Sequence, residues 1–379
     1  MGHARLPGAR PCVAVMSLAL VLVSSGAAGS YASARAPRRV GSSSALASSD
    51  PPPTSMPTSP GITLASSDEM DMPDPFLLDA DGKYFLYLST SFGDRTHSNV
   101  PVLTGRPGDW GPVSDALPEL PAWARPSSTS DLVWAPDVVR NGSKYLMYFS
   151  PIVNQALDPR FSHCIGVAVA SAPAGPFVPV SGPPLVCQLV LGGDIDAQFF
   201  KDPDGPNGPA HPNYLIWKSD NNNLPGTGPT TIWAQALSDD GLETRGTPMP
   251  IFAPAERWEW PEVEAPQLVS APNGSDWLFF SAGRGFWSPD YGVGAVECEG
   301  PLGGCFETRT SPLVASNSQG PGPGEETVFD GPHGSTWILY NPWFAGGVAP
   351  LRPVEAVRIG WNAIGPYVAD AGRFPLPRS

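Results

Sequence analysis

Five stretches of the chain each set an acidic side chain at the opening of a short apolar run. They are Asp74 in M-P-D-P-F, Asp137 in W-A-P-D-V, Asp196 in I-D-A-Q-F, Glu264 in V-E-A-P-Q, and Glu325 or Glu326 in G-E-E-T-V. Acids at such places also cap turns, and for Asp137 and the Glu325/Glu326 pair that role is an equal reading. Brought to one cavity, several carboxyls repel each other, so folding alone does not favour gathering them. At least one then keeps its proton near neutral pH while another stays ionised. A carboxylic acid facing a carboxylate across a cavity suits general acid–base hydrolysis, that of glycosidic bonds above all. Asp74, Asp196 and Glu264 are the three on which this chemistry is placed.

Such a gathering needs a repeated scaffold, and the sequence contains one. An aromatic-rich strand returns five times after a Gly- or Asn-containing turn: KYFLYLS at 83–89, KYLMYFS at 144–150, NYLIWKS at 213–219, DWLFFSA at 276–282 and TWILYNP at 336–342. Their second residues, Tyr84, Tyr145, Tyr214, Trp277 and Trp337, lie 61, 69, 63 and 60 residues apart. Each is preceded by an acid-opened strand and followed by another apolar strand, as IGVAVAS follows at 165. Three or more strands per unit and a period near 60 predict a five-bladed β-propeller, an all-β fold with the active site at the mouth of the central channel. A sandwich gives no reason for five similar units, and a parallel β-helix needs a shorter period.

Composition fits this reading. The 379 residues include 48 Pro and 41 Gly, which suits many turns between short strands, while 41% hydrophobic residues and 12 Trp are too apolar for a disordered chain. A net charge of −14 excludes the basic footprint of a nucleic-acid binder and disfavours polyanionic polymers, leaving neutral substrates. Residues 1–34 read as a secretory signal peptide: Arg5 and Arg10 precede the apolar stretch Cys12–Val23, and Ala32-Ser33-Ala34 offers a cleavage site. The stretch is too short to span a membrane, so a secreted monomer with no membrane association after cleavage is expected. Residues 35–66 read as a disordered Ser/Pro-rich linker and 67–379 as the propeller domain. Cleavage leaves Cys164, Cys187, Cys298 and Cys305; of three connectivities, sequential pairing closes two short loops.

On the motifs M-P-D-P-F-L-L-D-A-D-G-K-Y, W-A-P-D-V, I-D-A-Q-F-F-K-D-P-D-G, V-E-A-P-Q-L and G-P-G-P-G-E-E-T-V, the chain from Asp71 onward resembles glycoside hydrolase family 43. The family comprises five-bladed propeller enzymes acting on arabinose- and xylose-containing polysaccharides. The resemblance implies that Asp74 is general base, Glu264 general acid, and Asp196 the carboxylate that orients the acid and holds its pKa up. It implies inversion, with base and acid ~6.5–9.5 Å apart around a water. The expected substrate is a neutral pentose-containing polysaccharide or oligosaccharide, cleaved at α-L-arabinofuranosyl linkages of arabinan or arabinoxylan. A β-xylosidase and a non-catalytic carbohydrate-binding propeller are the alternatives. Family arabinanases often carry a His after G-P-G that holds a central calcium through water; here Glu325 follows Gly322-Pro323-Gly324, and no cofactor is required by carboxylate chemistry. His333 in the following turn reads as a surface residue.

Candidates for substrate binding are Trp134 beside the channel, Asp137, Phe92, Trp287 and Arg358. Trp258, Trp260, Phe286 and Arg284 are similarly placed, with packing between blades or a surface ion pair as the competing role for each. Trp277 and Trp337, inside the repeated strand, are expected in the core.

Overall fold

The computed structural model describes residues 61–377 apart from 68–69, 92–97, 126–131, 159, 204–212, 227, 317–321, 332–333, 343–350 and 370–372. Residues 1–34, read as a signal peptide, most of the expected linker, Phe92 and His333 therefore lie outside the described residues.

The repeated units form five antiparallel sheets. Blade I contains Phe76–Ala80, Lys83–Tyr87, Pro101–Arg106 and the short Asp109–Trp110, with Ser114–Asp115 on the same third strand. Blade II contains Val133–Asn141, Lys144–Pro151, Gly166–Ala170 and Val178–Pro179; blade III contains Asp194–Lys201, Asn213–Ser219, Thr231–Leu237 and Thr244–Phe252. Blade IV contains Glu262–Ser270, Asp276–Gly283, Gly292–Cys298 and Cys305–Phe306. Blade V contains Gly324–Gly331, Ser335–Asn341 and Val354–Asn362, whose outer edge carries Gly365–Ala369. The first strand of every blade touches that of the next, and blade V returns to blade I, so five first strands surround a closed channel. This is the five-bladed propeller that the repeat predicts.

Face-to-face packing of these sheets buries the aromatics of the repeated strand. Tyr84, Trp217, Trp277 and Trp337 are all buried or nearly so, each within an apolar cluster. Clusters join neighbouring blades, as Leu278 and Phe280 of blade IV join Ile232 and Phe252 of blade III. Trp258 stacks on Phe280 and belongs to this interior, which settles its competing roles in favour of packing.

The ring is closed from the N-terminal side. Ile62–Ala65 is a strand that pairs Val354–Ala356 of blade V, on the edge that Gly365–Ala369 leaves open. The Leu64 carbonyl also accepts a hydrogen bond from Trp110 Nε1 of blade I at 2.9 Å. The linker boundary expected at 66 is thus corrected to before Ile62. The alternating I-T-L-A run supplies a buried face through Leu64, and pairing satisfies an otherwise bare sheet edge. The cysteines pair sequentially, Cys164 with Cys187 and Cys298 with Cys305.

One backbone device recurs in all blades. Asp74, Ala135, Asp196, Ala265 and Glu325 have φ between 44° and 56°, the left-handed region that non-glycine residues rarely enter. In blades II to V the ladder shifts register across these residues, so each is a bulge that re-aims side chains at the channel. Neighbouring blades hold the strained amides. Asp74 N donates to Asn341 Oδ1 (3.0 Å), Ala135 N to Ser89 Oγ (2.6 Å), Ala265 N to Asp196 Oδ2 (3.0 Å) and Glu325 N to Ser281 Oγ (2.9 Å).

Candidate active site

The acids converge, but not from equivalent positions. Asp74, Asp196 and Glu325 occupy the bulge itself; Glu264 precedes it by one residue, Glu326 follows by one, and Asp137 by two. The position before the bulge is Pro73, Trp134, Ile195 and Glu264 in blades I to IV, and all four line one cavity of about 220 Å³ at the channel mouth. In blade V that position is Gly324, where any Cβ would collide with the Tyr291 ring. The glycine lets Tyr291 reach the site.

Asp74, Asp196, Glu264 and Glu325 line this cavity together with Lys218, Asp220, Asn222, Glu262, Trp134, Phe286, Trp287 and Arg352. A smaller space of about 30 Å³ continues down the channel between Asp137, Gln267, Glu326 and the bulge residues. Asp137 therefore sits below the mouth and does not line the larger cavity, contrary to its assignment to substrate binding. Two added residues along the strand carry its carboxyl deeper, where it accepts a hydrogen bond from the Phe199 backbone. Burial pushes it up to about 8.

Asp74 is held between two blades. Its amide is bonded to Asn341, and its Oδ2 accepts a bond from the Ser89 hydroxyl. Burial raises its pKa, with the Arg352 charge and the Ser89 bond opposing. Arg352 is itself fixed by a forked pair with Asp71, at 2.7 Å from Nη2 to Oδ2 and 3.1 Å from Nε to Oδ1. Asp71, Arg352 and Asn341 so form a rigid wall beside Asp74.

Glu264 differs from the expectation. Its Oε2 lies 2.7 Å from Lys218 Nζ, and its Oε1 accepts a 2.6 Å bond from Tyr291 Oη. Burial by itself raises a carboxyl, but Lys218, Glu262 and Tyr291 together hold Glu264 below its usual value. Burial takes Asp196 up to about 8, partly opposed by Lys218. Its Oδ2 caps the Ala265 amide and pins the bulge beside Glu264. Glu262, two residues before Glu264 on the same face of the strand, is pushed up to about 8 by burial and by Glu264. Its Oε1 lies 2.8 Å from Lys218 Nζ and accepts a bond from Asn222 Nδ2.

Trp134 stacks on His163 with ring centroids 3.9 Å apart, which fixes the indole at the cavity wall. Trp287, at 56% exposure, and Phe286 form the rim, and the Arg352 guanidinium lies 5.1 Å from the Phe286 ring. Trp260 is half exposed just before the strand of Glu262 and is not among the cavity residues. Arg358 is misassigned: it lies exposed on the third strand of blade V, opposite Trp337, and does not reach the cavity. Arg352, six residues earlier, takes the place expected of it. Arg284 pairs with Asp290 at the surface.

Lys218, Glu262, Tyr291 and Arg352 were not read from the sequence. Lys218 had a signal, being the one charged residue in NYLIWKS, a strand that is otherwise apolar or uncharged; a lysine there must find buried partners. Glu325 replaces the histidine, and among the described residues no group of three or more His, Cys, Asp or Glu side chains is arranged to hold an ion.

A closed ring of five blades with buried carboxyls at one mouth, a fixed arginine and an aromatic rim defines a propeller glycosidase. The chain matches the model of glycosyl hydrolases family 43 over residues 69–365 and belongs to that family. Solved structures of similar fold include a thermostable family-43 glycoside hydrolase (TM-score 0.67, 24% identity, covering 83% of this chain and 99% of that one). An α-L-arabinofuranosidase from Lactobacillus brevis is similar at TM-score 0.62 and 16% identity, covering 83% of this chain and 99% of that one. An endo-1,4-β-xylanase from Bacteroides thetaiotaomicron is similar at TM-score 0.62 and 21% identity, covering 80% and 96%. No curated protein matches the chain.

Proposed function

We propose that this family 43 glycosidase is a secreted, inverting enzyme that cleaves α-L-arabinofuranosyl linkages in arabinan or arabinoxylan side chains. Asp74 takes a proton from a water as that water attacks the anomeric carbon. Glu264 gives a proton to the leaving oxygen from the other side. Asp196 holds the strand of Glu264 in place through Ala265. Trp134 offers a flat apolar face to the sugar ring, and Arg352 offers hydroxyl-binding donors beside the base.

The observation that carries this reading is that Asp74, Asp196 and Glu264, from three different blades, line one cavity. They are close enough for the charge of Glu264 to act on both aspartates. A binding module that only held sugar would have no use for buried acids of differing proton affinity. β-Xylosidase action is the second reading, because a xylan-cleaving enzyme is as similar in fold as an arabinofuranosidase.

Mature protein should be offered 4-nitrophenyl α-L-arabinofuranoside, 4-nitrophenyl β-D-xylopyranoside and debranched arabinan, with the first-formed anomer followed by proton NMR. Arabinose released first as the β anomer supports the proposal. Release with retained configuration overturns inversion, and cleavage of the xyloside alone overturns the arabinose preference.

A further inference from the structure

Three carboxyls surround one buried ammonium. Lys218 Nζ lies 2.7 Å from Glu264 Oε2, 2.8 Å from Glu262 Oε1 and 3.3 Å from Asp220 Oδ1, and all four side chains are nearly inaccessible to solvent. Asp196 adds a fourth carboxyl within electrostatic reach of Lys218. One positive charge cannot balance four negative ones in so dry a site, so the group retains protons. Glu262 and Glu264 stand at alternate positions of one strand, point the same way and each set an oxygen within 2.8 Å of the same Lys218 Nζ. Two carboxyls joined in this way need one proton between them. Glu264 accepts from both Lys218 and Tyr291, whereas Glu262 has Oε1 between Lys218 and Asn222. Charged and titratable groups facing Glu262 are thus Lys218 and Asp220 from blade III and Glu264 from its own strand. Tyr291 of blade IV is also within electrostatic reach of Glu262, and Asp196 is within reach of Lys218 and Glu264.

We propose that Glu262 is the proton-holding partner of Glu264: the two carboxyls share one proton beside Lys218, and Glu262 restores it to Glu264 between turnovers. The inference rests on the assignment of Glu264 as the acid. In each turnover Glu264 loses a proton to the leaving oxygen and Asp74 gains one from the attacking water. The Glu264 carboxylate is then stabilised by Lys218 and Tyr291. Glu262 then takes a proton from water in the cavity and shares it with Glu264, which restores the acid, and Asp74 releases its own to solvent. No net proton is consumed. Glu262 acts through Glu264 and is a positioning residue for that proton.

The test is Glu262→Gln, assayed on an arabino-oligosaccharide and on 2,4-dinitrophenyl α-L-arabinofuranoside, whose leaving group needs no proton. An amide cannot hold the shared proton. The alkaline limb of kcat/KM should move to lower pH by about one unit or more, because Glu264 is left beside Lys218 and Tyr291. The rate on the natural linkage should fall at least ~10-fold further than that on the dinitrophenyl glycoside. Glu262→Asp, which keeps a carboxyl, should restore most of the alkaline limb. An unmoved alkaline limb in Glu262→Gln, or equal losses on both substrates, overturns the proposal. Should neither variant fold, a carbon-13 titration of the glutamate carboxyls in the wild-type protein decides instead: two coupled steps support sharing, and independent steps refute it. Glu264→Ala, run in parallel, separates the two ideas. Full activity there on the natural linkage removes the acid assignment itself, whereas its loss with an unmoved Glu262→Gln profile removes only the sharing.

Discussion

Tyr291 Oη donates a 2.6 Å hydrogen bond to Glu264 Oε1, and it reaches that oxygen because position 324 of the neighbouring blade has no side chain. The acid assigned to blade IV is therefore set by a residue of its own blade and a missing Cβ of the next.

Removing the phenol should weaken Glu264 as an anion. A hydrogen bond to a charged group contributes ~1.5–3 kcal/mol, so Tyr291→Phe should raise the proton affinity of Glu264. The alkaline limb of kcat/KM is expected to move up in pH by about one unit, measured across a pH series on an arabinofuranoside. Gly324→Ala should disturb the same bond by displacing the ring, lowering thermal stability as well.

Lys218 is the counter-charge of the carboxyl group. Lys218→Met leaves Glu262, Glu264 and Asp220 without it, and breaking a buried ion pair costs ~3–5 kcal/mol. Its pKa is held well above the usual lysine value, burial notwithstanding, by Glu262, Glu264 and Asp220. The lysine's share of the stabilisation is thus lost only as pH rises through its raised value, whereas the carboxyls' share is lost at acidic pH as they take up protons. The melting-temperature deficit of the variant should be larger at neutral pH than at acidic pH, where the carboxyls are neutral. A deficit independent of pH would contradict the ion-pair account.

Asp137 offers a linkage test away from the mouth. Its folded pKa is raised from 3.8 to about 8 by burial, so between these values the folded state holds a proton that the unfolded state has released. Its contribution to stability is full below about pH 4 and falls as pH rises through about 8. Asp137→Asn should flatten this dependence, raising the melting temperature near pH 8 relative to wild type and changing it little near pH 4. Parallel melting curves across that range are the measurement.

Ring closure should depend on the N-terminal strand. A chain beginning after Ala65 loses the ladder to Val354–Ala356, the bond from Trp110 to Leu64, and the burial of Leu64. Its melting temperature should fall by several degrees, whereas a chain beginning at Gly61 should melt as the full-length protein does. Differential scanning calorimetry of the two truncations checks this.

Much of the architecture was legible because each blade repeats one aromatic strand, whose buried side chains must face a neighbouring sheet. All five blades could be read from that strand and its flanking turns alone. The closing strand was missed because I-T-L-A follows a Ser/Pro-rich stretch and has no repeat partner. Within the site, Asp74, Asp196 and Glu264 were identifiable as acids of family motifs, but aligning acid with acid concealed the bulge. The prolines keep the true register: Pro75, Pro136 and Pro266 each follow a left-handed residue. Aligned on them, Asp137 falls two places too deep, where the structure puts it. Arg352 and Tyr291 were not legible, since their reach depends on the Asp71 fork and on Gly324, contacts far apart in sequence.

The assignment of Glu264 as the acid is tested most directly by Glu264→Ala, assayed for hydrolysis of an arabino-oligosaccharide and of 2,4-dinitrophenyl α-L-arabinofuranoside. The expected result is a loss of ~100-fold or more on the natural linkage, with a much smaller loss on the dinitrophenyl glycoside, whose leaving group departs without protonation. Wild-type rates on the natural linkage in that variant would contradict the account.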